Sequence, residues 1–402
     1  VSGSNFRNNS ADDYGGAIMC EDCESIDISD CTFTNNSAGL GSGAIDLTGC
    51  DDSQVSYCNF TNNSADGEGG AIYWEGYNGK VSDCNFADNG AIYGGAVYCG
   101  ECDVVISNSN FTANNATQGG AIQCNDSNLT VGACNFTNNV ADGEYSCGGA
   151  IDFNGTELFI VDSKFTSNEA YDCGAVSVES VTTEIINTEF IGNGAYDCGA
   201  VGIFEGNALI ENCTFDSNYA NRSIAALSIS TNATVNNTVF KSNSAEDCGA
   251  LFYESYSEND TLIADYCQFI DNDCSGAYLK HYNAVISNSK FKNSVSDKGI
   301  AIYNGATNRL YLSNNTVNKY NAQIYSAYGG NITSSVSCVI LNNRTIYKHL
   351  NETIDVYLYF QDDNRNRINV MDFDLLVNNT KIDYVSSNKY QYQYFEGNFT
   401  SD

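Results

Sequence analysis

The segment Ile106-Ser107-Asn108-Ser109-Asn110-Phe111-Thr112-Ala113-Asn114-Asn115-Ala116-Thr117-Gln118-Gly119-Gly120-Ala121-Ile122 is the unit from which most of the chain is built. Its Phe recurs at Phe6, Phe33, Phe60, Phe86, Phe111, Phe136, Phe165, Phe190, Phe215, Phe240, Phe269 and Phe291. Three residues on stands an Asn column: Asn9, Asn36, Asn63, Asn89, Asn114, Asn139, Asn168, Asn193, Asn218, Asn243 and Asn272. A glycine phrase follows, as in Gly69-Gly70-Ala71-Ile72. A fixed period of roughly 25 residues is the mark of a solenoid or propeller.

Working outward from Phe, β-branched residues stand five positions earlier, among them Ile28, Val55, Val81, Ile106, Val131 and Ile160. Small residues stand two positions earlier, including Cys31, Cys58, Cys84, Ser109, Cys134 and Ser163. After the glycine phrase, Ile72/Trp74, Val97/Cys99 and Ile151/Phe153 alternate with polar or outward residues. Alternation with period two in short β-branched runs means strands buried on one face. The parity breaks twice per repeat, which predicts about three short strands per coil. Helical repeats need a 3.6-residue period and leucine-rich repeats need Leu in most inward columns, and neither is present. The remaining architecture is an all-β parallel β-helix of about twelve coils, a rod of roughly 60 Å at ~4.8 Å per coil. The Phe rings are expected to stack along the axis. The Asn amides are expected to bond from coil to coil at a turn where Asn tolerates left-handed backbone. The glycines supply positive φ or room for close approach. The chain contains no proline, as a structure that uses nearly every N–H as a ladder donor requires.

The paired phrases Gly-Gly-Ala-Ile and Phe-x-x-Asn resemble the repeats of chlamydial polymorphic outer-membrane proteins. They are more similar still to adhesin-like surface proteins of methanogenic archaea. The resemblance implies a right-handed, pectate-lyase-type β-helix and an extracellular, cell-surface or cell-wall location. It covers about residues 1–325.

We place the β-helix at 1–330 and a second module at 331–402. The Asn column is lost at Ser294, and Val317 takes the Phe position. The runs Val336–Leu341, Thr353–Phe360, Asp372–Val377 and Lys389–Phe395 then resemble part of an immunoglobulin-like sandwich, short of the ~100 residues of a full one. Val1-Ser2-Gly3-Ser4 enters in mid-coil, so a segment of a longer exported protein is expected. No run approaches the ~20 apolar residues of a membrane span, so no membrane insertion is expected within this segment.

Fifty acidic residues against seventeen basic ones give a formal charge of −33. Phosphate binding needs clustered Lys and Arg, so nucleic acid is excluded as an expected partner. Eighteen cysteines fit an oxidising compartment. Coil alignment pairs Cys23 with Cys50, Cys99 with Cys124 and Cys173 with Cys198 as disulfide candidates, since stacked neighbours lie within disulfide reach. The thiols Cys31, Cys58 and Cys84 are expected to pack as small hydrophobes. Cys20-Glu21-Asp22-Cys23 and Cys99-Gly100-Glu101-Cys102 have zinc-like spacing, but two such pairs three coils apart cannot share a metal. Sequons such as Asn35-Asn36-Ser37, Asn110-Phe111-Thr112 and Asn212-Cys213-Thr214 are compatible with a glycoprotein.

Two constellations are candidates for function. Asp172, Asp197, Arg222 and Asp247 all stand seven residues after Phe on successive coils. They read as a charge ladder at a turn, with Ca²⁺ binding at Asp172 and Asp197 a further option and catalysis behind it. Tyr73 and Tyr98 fall at one outward position on adjacent coils, with Tyr77 and Tyr93 nearby, as an exposed row able to stack on sugars or anchor a protein. Trp74 has inward parity. His281 and His349 are the only histidines and lie in different modules. We expect no cofactor, a monomer, and a non-enzymatic adhesin-like role toward host or microbial glycans or proteins. The alternatives are a β-helix polysaccharide lyase or glycoside hydrolase, or a purely structural stalk.

Overall fold

The computed structural model describes residues 1–280 without interruption, then 283–294, 300–305, 309–318, 322–326, 331–334, 337–340, 354–361, 367–368, 375–377, 380–382 and 394–397. Every coil places its Phe strand against the same strand of the next: Asn59–Thr61 pairs with Asn85–Ala87, and that with Asn110–Thr112, all parallel. The register never slips along this face, from Phe6↔Phe33 to Phe269↔Phe291 and on to Phe291↔Val317. This is a parallel β-helix of about twelve turns, with no helix among the described residues.

About three strand segments per coil were expected; the middle coils have three, and the first coils and those around 189–236 have four. The Phe strand leads to a short Ser-Ala strand (Ser37–Ala38, Ser64–Ala65), then to the strand that follows the glycine phrase (Ile45–Thr48), then to the Val strand (Gln54–Ser56). In the middle coils the last two fuse into eleven-residue strands, as in Ile72–Ser82, Val97–Ser107 and Ile122–Gly132. No parity cue separates them there, because the corner is taken by register shifts at Gly76 and near Ser127.

The core is a set of vertical columns. Phe rings stack at centroid spacings from 4.6 to 5.1 Å, nearly parallel. The residues five before Phe are fully buried beside them (Val55, Val81, Ile106), as is Trp74 in the third column. Leu310 and Leu312 continue the inward strand after the repeat frays. Such a stack is quasi-one-dimensional: each coil is held only by its neighbours.

Two left-handed residues flank each Phe strand from Phe6 to Phe269, at Phe−3 and Phe+2: Asn108 and Ala113 around Phe111, Ala133 and Asn138 around Phe136. The ladder Asn itself is not in that region, contrary to expectation; the residue before it turns the corner. The ladder Asn serves the corner by hydrogen bonding. Asn139 Oδ1 accepts from both the N–H and Nδ2 of Asn114 at 3.0 Å. Its own Nδ2 donates to Phe111 O and to Asn168 Oδ1 at 3.0 and 2.9 Å. Every polar atom of a fully buried amide is thus used, and the pattern runs from Asn9 to Asn272. Beyond it, Ser294 takes the Asn register, and Asn315 instead accepts from Ser289 N–H, two positions before Val317.

In the glycine phrase the two glycines act differently. Gly119 has φ +60°, and a Cβ on Gly120 would overlap the carbonyl oxygen of Gly149 in the next coil.

In the second module, Ser337–Ile340, Arg367–Ile368 and Tyr394–Gly397 each pair antiparallel with Ile354–Gln361, and Leu375–Val377 with Thr380–Ile382. The expected sandwich as a whole, like His281 and His349, lies outside the described residues.

Candidate binding face

The strand after the glycine phrase points one column outward on every coil: Asp46, Tyr73, Tyr98, Gln123, Asp152 and Ser177 sit in unbroken parallel register. An outward column should be wet, yet Asp46, Tyr98, Gln123 and Ser177 are buried. The corner before the strand folds over them. Ser42 Oγ donates to Ile45 O, the first Gly of the phrase sits against the side chain beyond it, and a Cβ on Gly41 would touch Asp46. Burial here is therefore made by the corner, not by the sheet.

This corrects the aromatic expectation. Tyr73 and Tyr98 do stack, at 5.6 Å and 17°, but Tyr73 is half-buried and Tyr98 is 8% exposed. Tyr98 Oη accepts from Asn125 Nδ2 at 3.0 Å, and Tyr73 Oη donates to Glu75 at 3.4 Å. Tyr77 and Tyr93 are exposed, but one follows the Trp74 position and the other precedes Val97, so they flank the stack from opposite ends of the strand.

Carboxylates collect along the same column. Burial, then the charge of Glu179 and further off Asp172, pushes Asp152 up to about 6 against a Ser177 hydrogen bond that opposes it. Burial also raises Asp46, whose Oδ1 accepts from Thr48 Oγ1 at 2.6 Å while Oδ2 has no partner. Glu68 is raised by burial and by Asp46. Gln123 Oε1, next to Asp152 in register, is a second buried acceptor without a partner. Sequence reasoning missed Asp152 because its neighbours in the column are Gln and Ser, so no acidic repeat marks it. Its one signal was outward parity beside Phe153.

The acid ladder is real for two members. Cys173↔Cys198 pairing aligns Asp172 with Asp197, and burial first, then Asp197, raises Asp172. Arg222 is displaced by one: Cys198 pairs with Ile224, so Ser223 takes the ladder position. Ser223 Oγ donates to Asp197 at 3.4 Å, and Arg222 reaches the same carboxylate at 3.7 Å from an exposed position. Asp247 is in the strand Ser244–Glu254, and its side chain lies outside the described residues. Among the described residues no group of three or more His, Cys, Asp or Glu side chains is placed to hold a metal ion.

Beside the ladder stands a second aromatic row. Tyr171 stacks on Tyr196 at 5.1 Å and 26°, and Tyr145 meets Tyr171 edge-on at 5.2 Å.

The three disulfide candidate pairs are coil neighbours, Cys99 with Cys124 and Cys173 with Cys198 in register, and their thiols are free. Cys99 hydrogen-bonds both Cys102 and Cys124, and Cys173 bonds Cys198. The Cys31/Cys58/Cys84 column is also more than hydrophobic filling. Cys31 and Cys58 N–H donate to the Sγ of Cys58 and Cys84 at 3.4 Å, and Cys84 N–H donates to Ser109 Oγ at 3.1 Å. Cys58 Sγ donates back to Ser56 O at 3.1 Å, as Ser109 Oγ does to Ser107 O at 2.7 Å. Thiol and hydroxyl are interchangeable there. The sequon residues Asn35, Asn110 and Asn212 are exposed and joined in outer amide ladders.

The family model described as right-handed β-helix region matches residues 1–165 and 174–346. No curated protein and no solved structure matches the chain.

Proposed function

We propose, from the premise that this chain belongs to the right-handed β-helix family, that it is a non-enzymatic, adhesin-like rod of an extracellular surface. Its role is to present one face to glycans or proteins of a host or of neighbouring microbes. The observation that carries this reading is the evenness of the coils. Successive ladder Asn residues are separated by 25 to 29 positions, so no coil from Asn89 to Asn272 spares the residues for a long loop walling a cleft. A β-helix enzyme needs such walls to exclude water around the reacting bond. A binding rod needs only a repeated surface. The charge of −33 suits a solvated surface rod and disfavours polyanionic ligands.

A second reading has one specific observation behind it. Asp152, raised to about 6 beside Glu179, has the protonation behaviour of a general acid near a carboxylate partner. An immobilised panel of glycans and surface proteins, with soluble-sugar release assayed on the same sample, separates the two. Saturable binding without product supports the adhesin-like role. Product release abolished by Asp152→Asn replaces it with hydrolysis.

A further inference from the structure

Several outward carboxylates of the rod are met by a lysine on a neighbouring coil: Glu189 by Lys164 at 2.8 Å, Asp216 by Lys241 at 2.9 Å and Glu254 by Lys280 at 2.6 Å. Asp152, on the strand Ile151–Val161, is not. Among the described residues no Lys or Arg pairs with it, with Glu179 or with Asp172. What surrounds Asp152 is a set of acceptors from the coils on either side. Gln123, on Ile122–Gly132, and Ser177, on Val176–Ile186, flank it in register, and Glu179 follows Ser177 by two residues, on the same side of the sheet. Gln123 is 7% exposed and its Oε1 has no partner. Ser177 Oγ donates to Asp152, and Asn154 Nδ2 reaches Glu179 only at 3.5 Å. A buried acceptor left without a donor is destabilising, so the cluster lacks a donor. Asp46, the other member of this column with an orphan oxygen, is fully buried against Gly41 and closed to any ligand, whereas Asp152 is partly open to solvent.

We propose that Asp152, Gln123 and Glu179 form a binding site for a primary ammonium group. The proposal goes beyond the surface-binding reading and does not rest on it. The missing partner must be a donor, because the orphan is a carbonyl oxygen and the charges around it are negative. An ammonium carries three N–H donors on one compact charge, which suits three acceptors supplied by three coils. A guanidinium is the poorer fit, since its planar fork suits the two oxygens of a single carboxylate. A metal ion is poorer still, since no three His, Cys, Asp or Glu side chains among the described residues are placed to hold one. A free alkylamine and a lysine side chain present the same group. The titratable groups that face Asp152 are Glu179, Asp172 and the thiols of Cys147 and Cys124, none of them a cation. Protonation of Asp152, which burial and then Glu179 push up to about 6, removes its charge and places an O–H where the ammonium donates. Affinity should therefore fall as the pH drops through that value.

The test follows the Asp152 carboxyl group by NMR in the whole chain with isotope-labelled aspartate, its signal assigned with Asp152→Asn, at constant ionic strength. n-Butylammonium is titrated against butyltrimethylammonium, which has the same charge and no N–H. n-Butylammonium should lower the Asp152 midpoint by roughly one pH unit or more, a tenfold preference for the ionised form, and the quaternary ion should leave it in place. Gln123→Leu, which keeps the bulk and removes the orphan oxygen, should weaken n-butylammonium binding roughly threefold or more without lowering the melting temperature. Tighter binding of Nα-acetyl-lysine methylamide than of n-butylammonium assigns the group to a lysine side chain; equal or weaker binding assigns it to a free amine. Equal shifts by both ammonium ions reduce the effect to general attraction by a chain of charge −33 and overturn the site. A Ca²⁺ titration that moves Asp152 where n-butylammonium does not replaces the ammonium with a metal ion. A midpoint that none of them moves overturns the site and leaves the surface-binding reading standing.

Discussion

At the scale of single residues, two positions in one coil show how the repeat is enforced. Phe136 is fully buried, with rings 4.7 and 4.6 Å on either side. Phe136→Ala removes both contacts and leaves a cavity that the coils above and below cannot close, since their own rings hold them apart. A loss of about 3–5 kcal/mol is expected in urea unfolding; a loss under about 1 kcal/mol would mean that the stack does not carry the core. Asn139 is a polar counterpart. Asn139→Ala strands the N–H and Nδ2 of Asn114 and the carbonyl of Phe111, all buried. A cost of roughly 2–5 kcal/mol follows from those orphaned groups. Asn139→Asp should be no better, because a carboxylate cannot donate to Phe111 O or Asn168 Oδ1. An Asp variant as stable as the wild type would show that the donor half of the ladder is dispensable.

At the scale of the strand and its corner, the small column before Phe makes a sharper test of what the cysteines do. Cys58 Sγ accepts from Cys31 N–H and donates to Ser56 O, the bonds that Ser109 makes elsewhere in the column. Cys58→Ser should therefore change stability by less than about 1 kcal/mol, whereas Cys58→Val, which keeps the bulk but loses the bonds, should cost about 1–3 kcal/mol. The reverse order, measured by chemical unfolding, would restore the hydrophobic reading of that column. Burial pushes Cys134 and Cys213 up to about 11 and Cys267 up to about 12, so little thiolate exists at those three positions, whereas the hydrogen bond with Cys84 holds Cys58 below the ordinary thiol value.

The same scale explains what could be read from the sequence. Columns anchored on Phe were legible because in-register stacking copies each residue onto its neighbour, so Ile106, Trp74 and the Asn ladder announced themselves. Tyr98 was misjudged because alternation reports which side of the sheet a residue takes, not whether a preceding corner folds over that side. Arg222 was misplaced because counting from Phe assumes equal corners. One residue more separates Phe215 from Leu227 than Phe190 from Val201, a signal visible only once both columns are counted. Asp152 had no repeat to betray it, since a functional side chain on a solenoid is by nature a departure from the column.

At the scale of the whole molecule, the buried carboxylates and the net charge act in one direction. Asp46, Glu68, Asp152 and Asp172 are all raised, in each case first by burial. The folded rod therefore binds more protons than the unfolded chain in the window between the ordinary carboxylate pKa and about 6. Stability from these groups is fully present below the unfolded value of ~4 and is lost as pH rises through the folded values. Asp152 alone accounts for on the order of 1–3 kcal/mol of that change, allowing for its partial solvent contact. Repulsion within a −33 chain adds to it, because charge held on a rod cannot spread as it can on an unfolded coil. The melting temperature should rise on going from pH 7.5 to about 5, and added salt should raise it more at pH 7.5 than at 5. Asp152→Asn should stabilise the rod at pH 7.5 and flatten the part of the curve near pH 6, while leaving the salt effect in place. A melting temperature that instead falls steadily between pH 7.5 and 5 would show that ionised carboxylates hold the rod together. The outward column would then be a network of needed charges, and not a row of acids confined by the corners that cover them.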